Sequence, residues 1–116
     1  MDQMLFTLPI LPSKTEAARA FLQELGGARK QDFLANDQAL GFTKEVWALQ
    51  QMPQGDFLVA YVTGKDLDHA VGQFNAAQDD FDRWFKQQVL EVTGADFNEP
   101  STGSVFVSQI LADIEV

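Results

Sequence analysis

A chain of 116 residues, 46% of them hydrophobic, is near the commonest size for one domain and too apolar to be disordered. The 17 acidic residues against 8 basic ones leave a formal charge of −9 and a pI near 4.3, which argues against nucleic acid or an anionic membrane as partner. No cysteine is present, so a disulfide framework, a thiolate metal site and a cysteine nucleophile are excluded.

The N-terminus, Met1-Asp2-Gln3-Met4, lacks the basic region of a signal peptide, and no run approaches the roughly 18 apolar residues that span a bilayer. A soluble cytoplasmic protein of one domain, residues 1–116, is expected. Met4–Ile10 reads as a first strand, short, apolar and closed by Pro12. Pro9 has no N–H to give a ladder and belongs at a strand end or an unpaired edge. Ser13-Lys14-Thr15-Glu16 has the S-x-x-E form of a capping box. Behind it Ala17, Phe21 and Leu25, with Ala18 and Leu22, make one apolar stripe at helical spacing. Gly26-Gly27 ends or kinks that helix. Ala28–Leu40 is a second helical segment, with Phe33, Leu34, Asp37 and Leu40 three and four residues apart.

Gly41 turns the chain into a hairpin over Lys44–Thr63, whose two runs of Val, Trp, Tyr and Phe flank Pro-Gln-Gly. A three-residue loop, Pro53–Gly55, sets Met52 opposite Asp56. Trp47 then faces Tyr61, Leu49 faces Val59 and Gln51 faces Phe57 on one side of the hairpin. Val46, Ala48, Leu58, Ala60 and Val62 point the other way. Both faces are apolar, so the sheet is expected to be covered on two sides.

After Gly64, Asp66 is an N-cap for a helix to Ala77, with Leu67, Ala70, Val71 and Phe74 on its apolar face. Asp79 or Asp80 restarts or continues it, and Phe81, Trp84, Phe85 and Val89 form an aromatic stripe. Asp79 with Arg83, and Asp82 with Lys86, are acid-first i,i+4 pairs worth a few tenths of a kcal/mol each. Thr93-Gly94 closes the helix. Asp96–Gly103, containing Pro100, is a loop, and Ser104–Ile114 alternates like a last strand. The order β-α-β-β-α-β predicts an α+β, ferredoxin-like fold: a four-stranded antiparallel sheet with helices on one face. One helical layer leaves the second apolar face open, larger than a monomer usually tolerates. A second copy placed on that face by a two-fold axis covers it, which predicts a homodimer through the sheet.

W-A-L-Q-Q-M-P-Q-G-D at Trp47–Asp56 and F-D-R-W-F-K-Q-Q-V at Phe81–Val89 resemble an uncharacterised bacterial family. That family is similar to the dimeric α/β-barrel group that contains antibiotic-biosynthesis monooxygenases. The resemblance covers nearly the whole chain and implies two ferredoxin-like subunits forming a barrel. The wider group includes cofactor-free oxygenases, haem-degrading enzymes, isomerases and proteins with no known activity. It supplies no residue constellation to carry onto this chain.

Five residues are candidates for ligand contact, each with a plainer structural reading. Trp47 and Tyr61 suit the wall of an aromatic pocket, or else a cross-strand packing pair. Arg83 suits an anionic group on a substrate, or else holds Asp79 on a solvated helix face while Trp84 packs on the sheet. His69, the lone histidine, suits a solvated helix position, and less readily a proximal haem ligand or a proton relay. One histidine excludes a metal site with two or more imidazoles. Gly26-Gly27 has no phosphate-loop context, and no nucleophile elbow or triad is present. Catalytic residues, a metal site and a cofactor therefore do not follow from the sequence. The expected function is binding of a small apolar or aromatic molecule between helices and sheet. The runner-up is a cofactor-independent monooxygenase or isomerase acting on an aromatic or enolisable compound, and haem binding ranks third.

Overall fold

The computed structural model describes residues 1–99 and 105–116. In chain order the elements are β1 (Asp2–Pro9), α1 (Thr15–Leu25), α2 (Lys30–Leu40), β2 (Phe42–Met52), β3 (Gly55–Gly64), α3 (Leu67–Ala76), α4 (Asp80–Thr93) and β4 (Phe106–Val107). The strands form one antiparallel sheet in the order β2-β3-β1-β4, the ferredoxin-like arrangement. Each helical connection is a pair of helices, giving β-α-α-β-β-α-α-β. Gly26 and Gly27 divide the first pair, and the short extended link after Ala76 divides the second.

The hairpin turn is one residue tighter than its sequence suggests. Met52 pairs with Gly55 around Pro53-Gln54, and Gly55 takes φ 148°, a backbone state that residues with a side chain rarely adopt. A one-residue change in register moves each side chain to the opposite face. Trp47 therefore pairs with Ala60, and Tyr61 with Val46. Trp47 and Leu49 face the helices alongside Leu58, Ala60 and Val62, whereas Tyr61 faces away and donates its hydroxyl to Gln3 Oε1. The expected Trp47–Tyr61 pair does not form.

Two other expectations need correction. Ser13 sits at φ 68°, outside the conformation of a helix cap, and α1 starts at Thr15 with no side-chain cap. The Thr15 hydroxyl instead donates to Asp56 Oδ2 at 2.6 Å and ties the helix to the hairpin. The last strand shrinks to Phe106–Val107, which pairs with Thr7 and Phe6, and the Ser108 N–H donates to the Leu5 carbonyl. Beyond Ser108 the chain leaves the ladder, so alternation there has no neighbouring backbone to read it. Leu111 and Ile114 are 82% and 83% exposed. Pro100, Gly103 and Ser104 lie outside the described residues. Asp66 caps α3 as expected, accepting from the His69 N–H at 3.1 Å.

All four helices lie on the face presented by Phe6, Leu8, Leu58, Ala60 and Val62. Phe85 of α4 is the centre of that layer. Its ring lies 5.5 Å from Phe21, 5.5 Å from Trp47, 5.7 Å from Phe74 and 6.1 Å from both Phe33 and Phe81. Such pairs contribute about 0.5–1.5 kcal/mol each beyond their buried area. On the opposite face Leu5, Val46, Phe57, Val59, Tyr61 and Phe106 have no helix over them. Among the described residues no helix is long and apolar enough to cross a membrane. Phe85→Ala is expected to lower unfolding stability by about 3–5 kcal/mol, read as a lower urea midpoint with an unchanged m-value.

Candidate functional site

Between helices and sheet lies a half-open cavity of about 220 Å³. Its floor is Met4 and Phe6 of β1, Val62 of β3 and Trp47 of β2. Phe33 of α2, Val71 and Phe74 of α3, and Phe81 and Phe85 of α4 form the roof, with Phe97 from the segment after α4. Phe42 and Glu45 reach the same cavity although three residues apart, because the ladder is irregular between Phe42 and Lys44. An extra residue of this kind re-aims the side chains beside it.

One part of the lining is polar: Asn36 and Asp37 of α2 and Glu45 of β2. Gly41, at φ 101°, takes the left-handed turn that folds β2 back beneath α2 and brings these side chains together. The Trp47 indole N–H donates to Glu45 Oε1 at 3.0 Å, both side chains standing on the helix side of β2. Asp37 lies within hydrogen-bonding reach of Glu45, and its Oδ1 is buried with no hydrogen-bond partner among the described residues. Burial, then the hydrogen bond to Glu45 and the charges of Glu45 and Asp82, push the Asp37 carboxyl up to about 10. Asp37 therefore keeps its proton at neutral pH and has a hydrogen to give to Glu45.

Asp82 and Lys86, expected to be an i,i+4 pair worth only a few tenths of a kcal/mol, are 1% and 4% exposed. Lys86 Nζ donates to the carbonyls of Asn75 at 3.1 Å and Ala77 at 2.8 Å, and to Asn98 Oδ1 at 2.9 Å. It clamps the α3–α4 link and the segment after α4 to the layer, and burial lowers its pKa against the pull of Asp82 and Asp96. Burial raises the Asp82 pKa, while Asn36 and Lys86 oppose the rise and Asp79 adds to it.

The sequence candidates scatter around this cavity. Trp47 lines it. Tyr61 stands on the far face of the sheet. Trp84 packs against Phe21, Phe81 and the Arg29 guanidinium, 4.4 Å from its ring, and so lies among helices rather than on the sheet. Arg83 is exposed, and among the described residues it forms no ion pair with Asp79. His69 is exposed on α3. Nothing in the sequence marks Asp37, Glu45 and Phe85 as site residues, although Asp37 lies on the same helical stripe as Phe33. Alternation along β2 puts Glu45 on the Trp47 and Leu49 face, and with that face turned to the helices a charged residue among apolar neighbours is an informative position. Among the described residues no group of three or more His, Cys, Asp or Glu is placed to hold a metal ion.

No family model matches the chain, and no curated protein matches it in sequence. Among solved structures, tetracenomycin F2 cyclase from Streptomyces glaucescens, a type-II polyketide cyclase, is similar at a TM-score of 0.57. The match covers 100% of this chain and 99% of that one at 15% identity, and at that identity it shows a shared fold.

A carboxyl whose folded pKa is raised binds its proton more tightly in the folded than in the unfolded state. Its stabilising contribution is complete below the ordinary value of 3.8 and is lost as pH rises towards about 10. Asp37→Asn is therefore expected to stabilise the protein at pH 8 by on the order of 1–3 kcal/mol and to change little at pH 4, measured by urea unfolding at the two pH values.

Proposed function

We propose that this protein binds a small aromatic or enolisable molecule in the cavity and rearranges it without a cofactor, in the manner of an isomerase or cyclase. The observation that carries this reading is the cavity: a half-open space of about 220 Å³, walled mainly by aromatic rings, with Asn36, Asp37 and Glu45 meeting in its lining. A dry cavity of roughly 150 Å³ takes one benzene, so this one suits one ring or two fused rings, with room for a tail through its open side. The likeness to a cyclase fits such a substrate class.

Proton transfer is favoured over oxygenation. A cofactor-free oxygenase must stabilise an enolate or phenolate anion long enough for it to reduce oxygen. Among the described residues the polar lining is Asn36, Asp37, Glu45, Asn75 and Glu99, with neither Arg83 nor Tyr61 beside it. Carboxylates repel an anion, whereas a carboxyl and a carboxylate together can move protons.

The working unit in this reading is a homodimer joined through the open sheet face. Val46, Phe57, Val59 and Tyr61 leave a half-exposed apolar surface there, and the exposed Leu111 and Ile114 extend the area that needs cover.

Calorimetric titration with 2-naphthol is expected to saturate at one site per chain, with a dissociation constant on the order of 100 μM. Val71→Trp, which fills the cavity, is expected to abolish binding while leaving the far-ultraviolet circular dichroism intact; unaltered binding would contradict the site. Light scattering is expected to give twice 12.9 kDa, and Val59→Lys to halve that mass without unfolding the chain.

A further inference from the structure

We infer that Asp37 and Glu45 form an acid–base couple that enolises a ketone seated in the cavity, Glu45 taking the proton from carbon and Asp37 protonating the carbonyl oxygen. This rests on the cavity being a ligand site, and it deepens that reading by naming the chemistry and the substrate class.

Three observations carry it. Asp37 and Glu45 line one cavity from two different elements, α2 and β2, and lie within hydrogen-bonding reach of each other. The Trp47 indole N–H donates to Glu45 Oε1 and so fixes the orientation of that side chain beside Asp37. Asp82 of α4, 1% exposed and held by Asn36, stands close enough to Asp37 for its charge to be felt there. Its burial against Asp37 disfavours a further negative charge there and holds the proton on Asp37.

The step balances within the couple. With the Asp37 hydrogen turned from Glu45 to the substrate carbonyl, the Cα–H bond breaks and its proton goes to the Glu45 carboxylate. The electron pair forms the C=C bond, and the carbonyl oxygen takes the Asp37 proton. The products are the neutral enol, a protonated Glu45 and an ionised Asp37, so the charge of the couple is unchanged. One proton passing from Glu45 to Asp37 restores the starting state. No oxidant or metal is consumed.

A carboxylate is a weak base, so the C–H must be acidified. The substrate class is then a β-dicarbonyl compound or an aryl-activated ketone, in which two neighbouring groups share the carbanion charge. The aromatic walls suit the aryl part, and the enol carbon can then attack a second carbonyl or be reprotonated elsewhere.

The test uses 2-tetralone, a two-ring ketone whose benzylic C1–H lies next to the carbonyl. Binding is measured by calorimetry, and deuterium uptake at C1 by mass spectrometry in heavy water, on the same samples. The wild-type protein is expected to bind saturably and to accelerate uptake above the buffer rate. Asp37→Asn and Glu45→Gln are each expected to lower that acceleration by at least about 10²-fold while binding is retained. The wild-type rate is also expected to fall at alkaline pH as Asp37 ionises. That readout needs no variant to fold, and Glu45, Asp82, Glu99 and the more distant Lys86 are the charged groups around it. Saturable binding with uptake at the buffer rate, or with uptake unaffected in both variants, overturns the couple and leaves the cavity a binding site. Absence of saturable binding overturns the ligand site and the couple together.

Discussion

A carboxylate moved from water into an apolar enclosure loses several kcal/mol of hydration, and Asp37 and Glu45 meet inside such an enclosure. Two features make the arrangement tolerable. One proton stays on Asp37, so its carboxyl adds no charge beside the aromatic rings. The Trp47 indole N–H supplies a fixed donor to Glu45 Oε1. The surrounding helix layer depends on the same ring system, because Phe85 touches Trp47 on one side and Phe33 and Phe74 on the others. Packing and chemistry are therefore not separable here. The rings that close the core are also the rings that wall the cavity beside the couple.

Much of the fold was legible because its signals are local. The stripe of Phe21 and Leu25, the Asp66 cap and the apolar face of Leu67 and Ala70 each follow from spacing within one turn or two. The hairpin was visible, but its register was not. Whether Gly55 closes a two-residue or a three-residue loop depends on which face of each strand meets the helices, and alternation reads equally well either way when both faces are apolar. That single residue decided whether Trp47 and Tyr61 share a face. The Ser13 motif failed for a different reason: a tertiary bond from Thr15 to Asp56 sets where α1 begins.

The site was the least legible part, because it is assembled from residues distant in the chain. Asp37 and Glu45 come together through the left-handed turn at Gly41, and no short-range pattern announces that meeting. Asp82 and Lys86 illustrate the converse. Their spacing reads as a weak i,i+4 pair, yet Lys86 is turned inward by two backbone carbonyls and Asn98, none of which lies on its own helix. Sequence spacing identifies what a helix allows, and the neighbouring segments decide what it uses.

The two faces of the sheet divide the labour. The inner face builds the cavity, and the outer face carries half-exposed apolar residues with no helix over them. The proton held at the carboxyl couple is the feature on which the chemical account stands. It is tested most directly by an infrared difference spectrum, wild type against Asp37→Asn, in unliganded protein at neutral pH. A protonated-carboxyl C=O band present in the wild type and missing from the variant is the predicted result. A difference confined to ionised-carboxylate bands would show that Asp37 is charged, and would contradict the account.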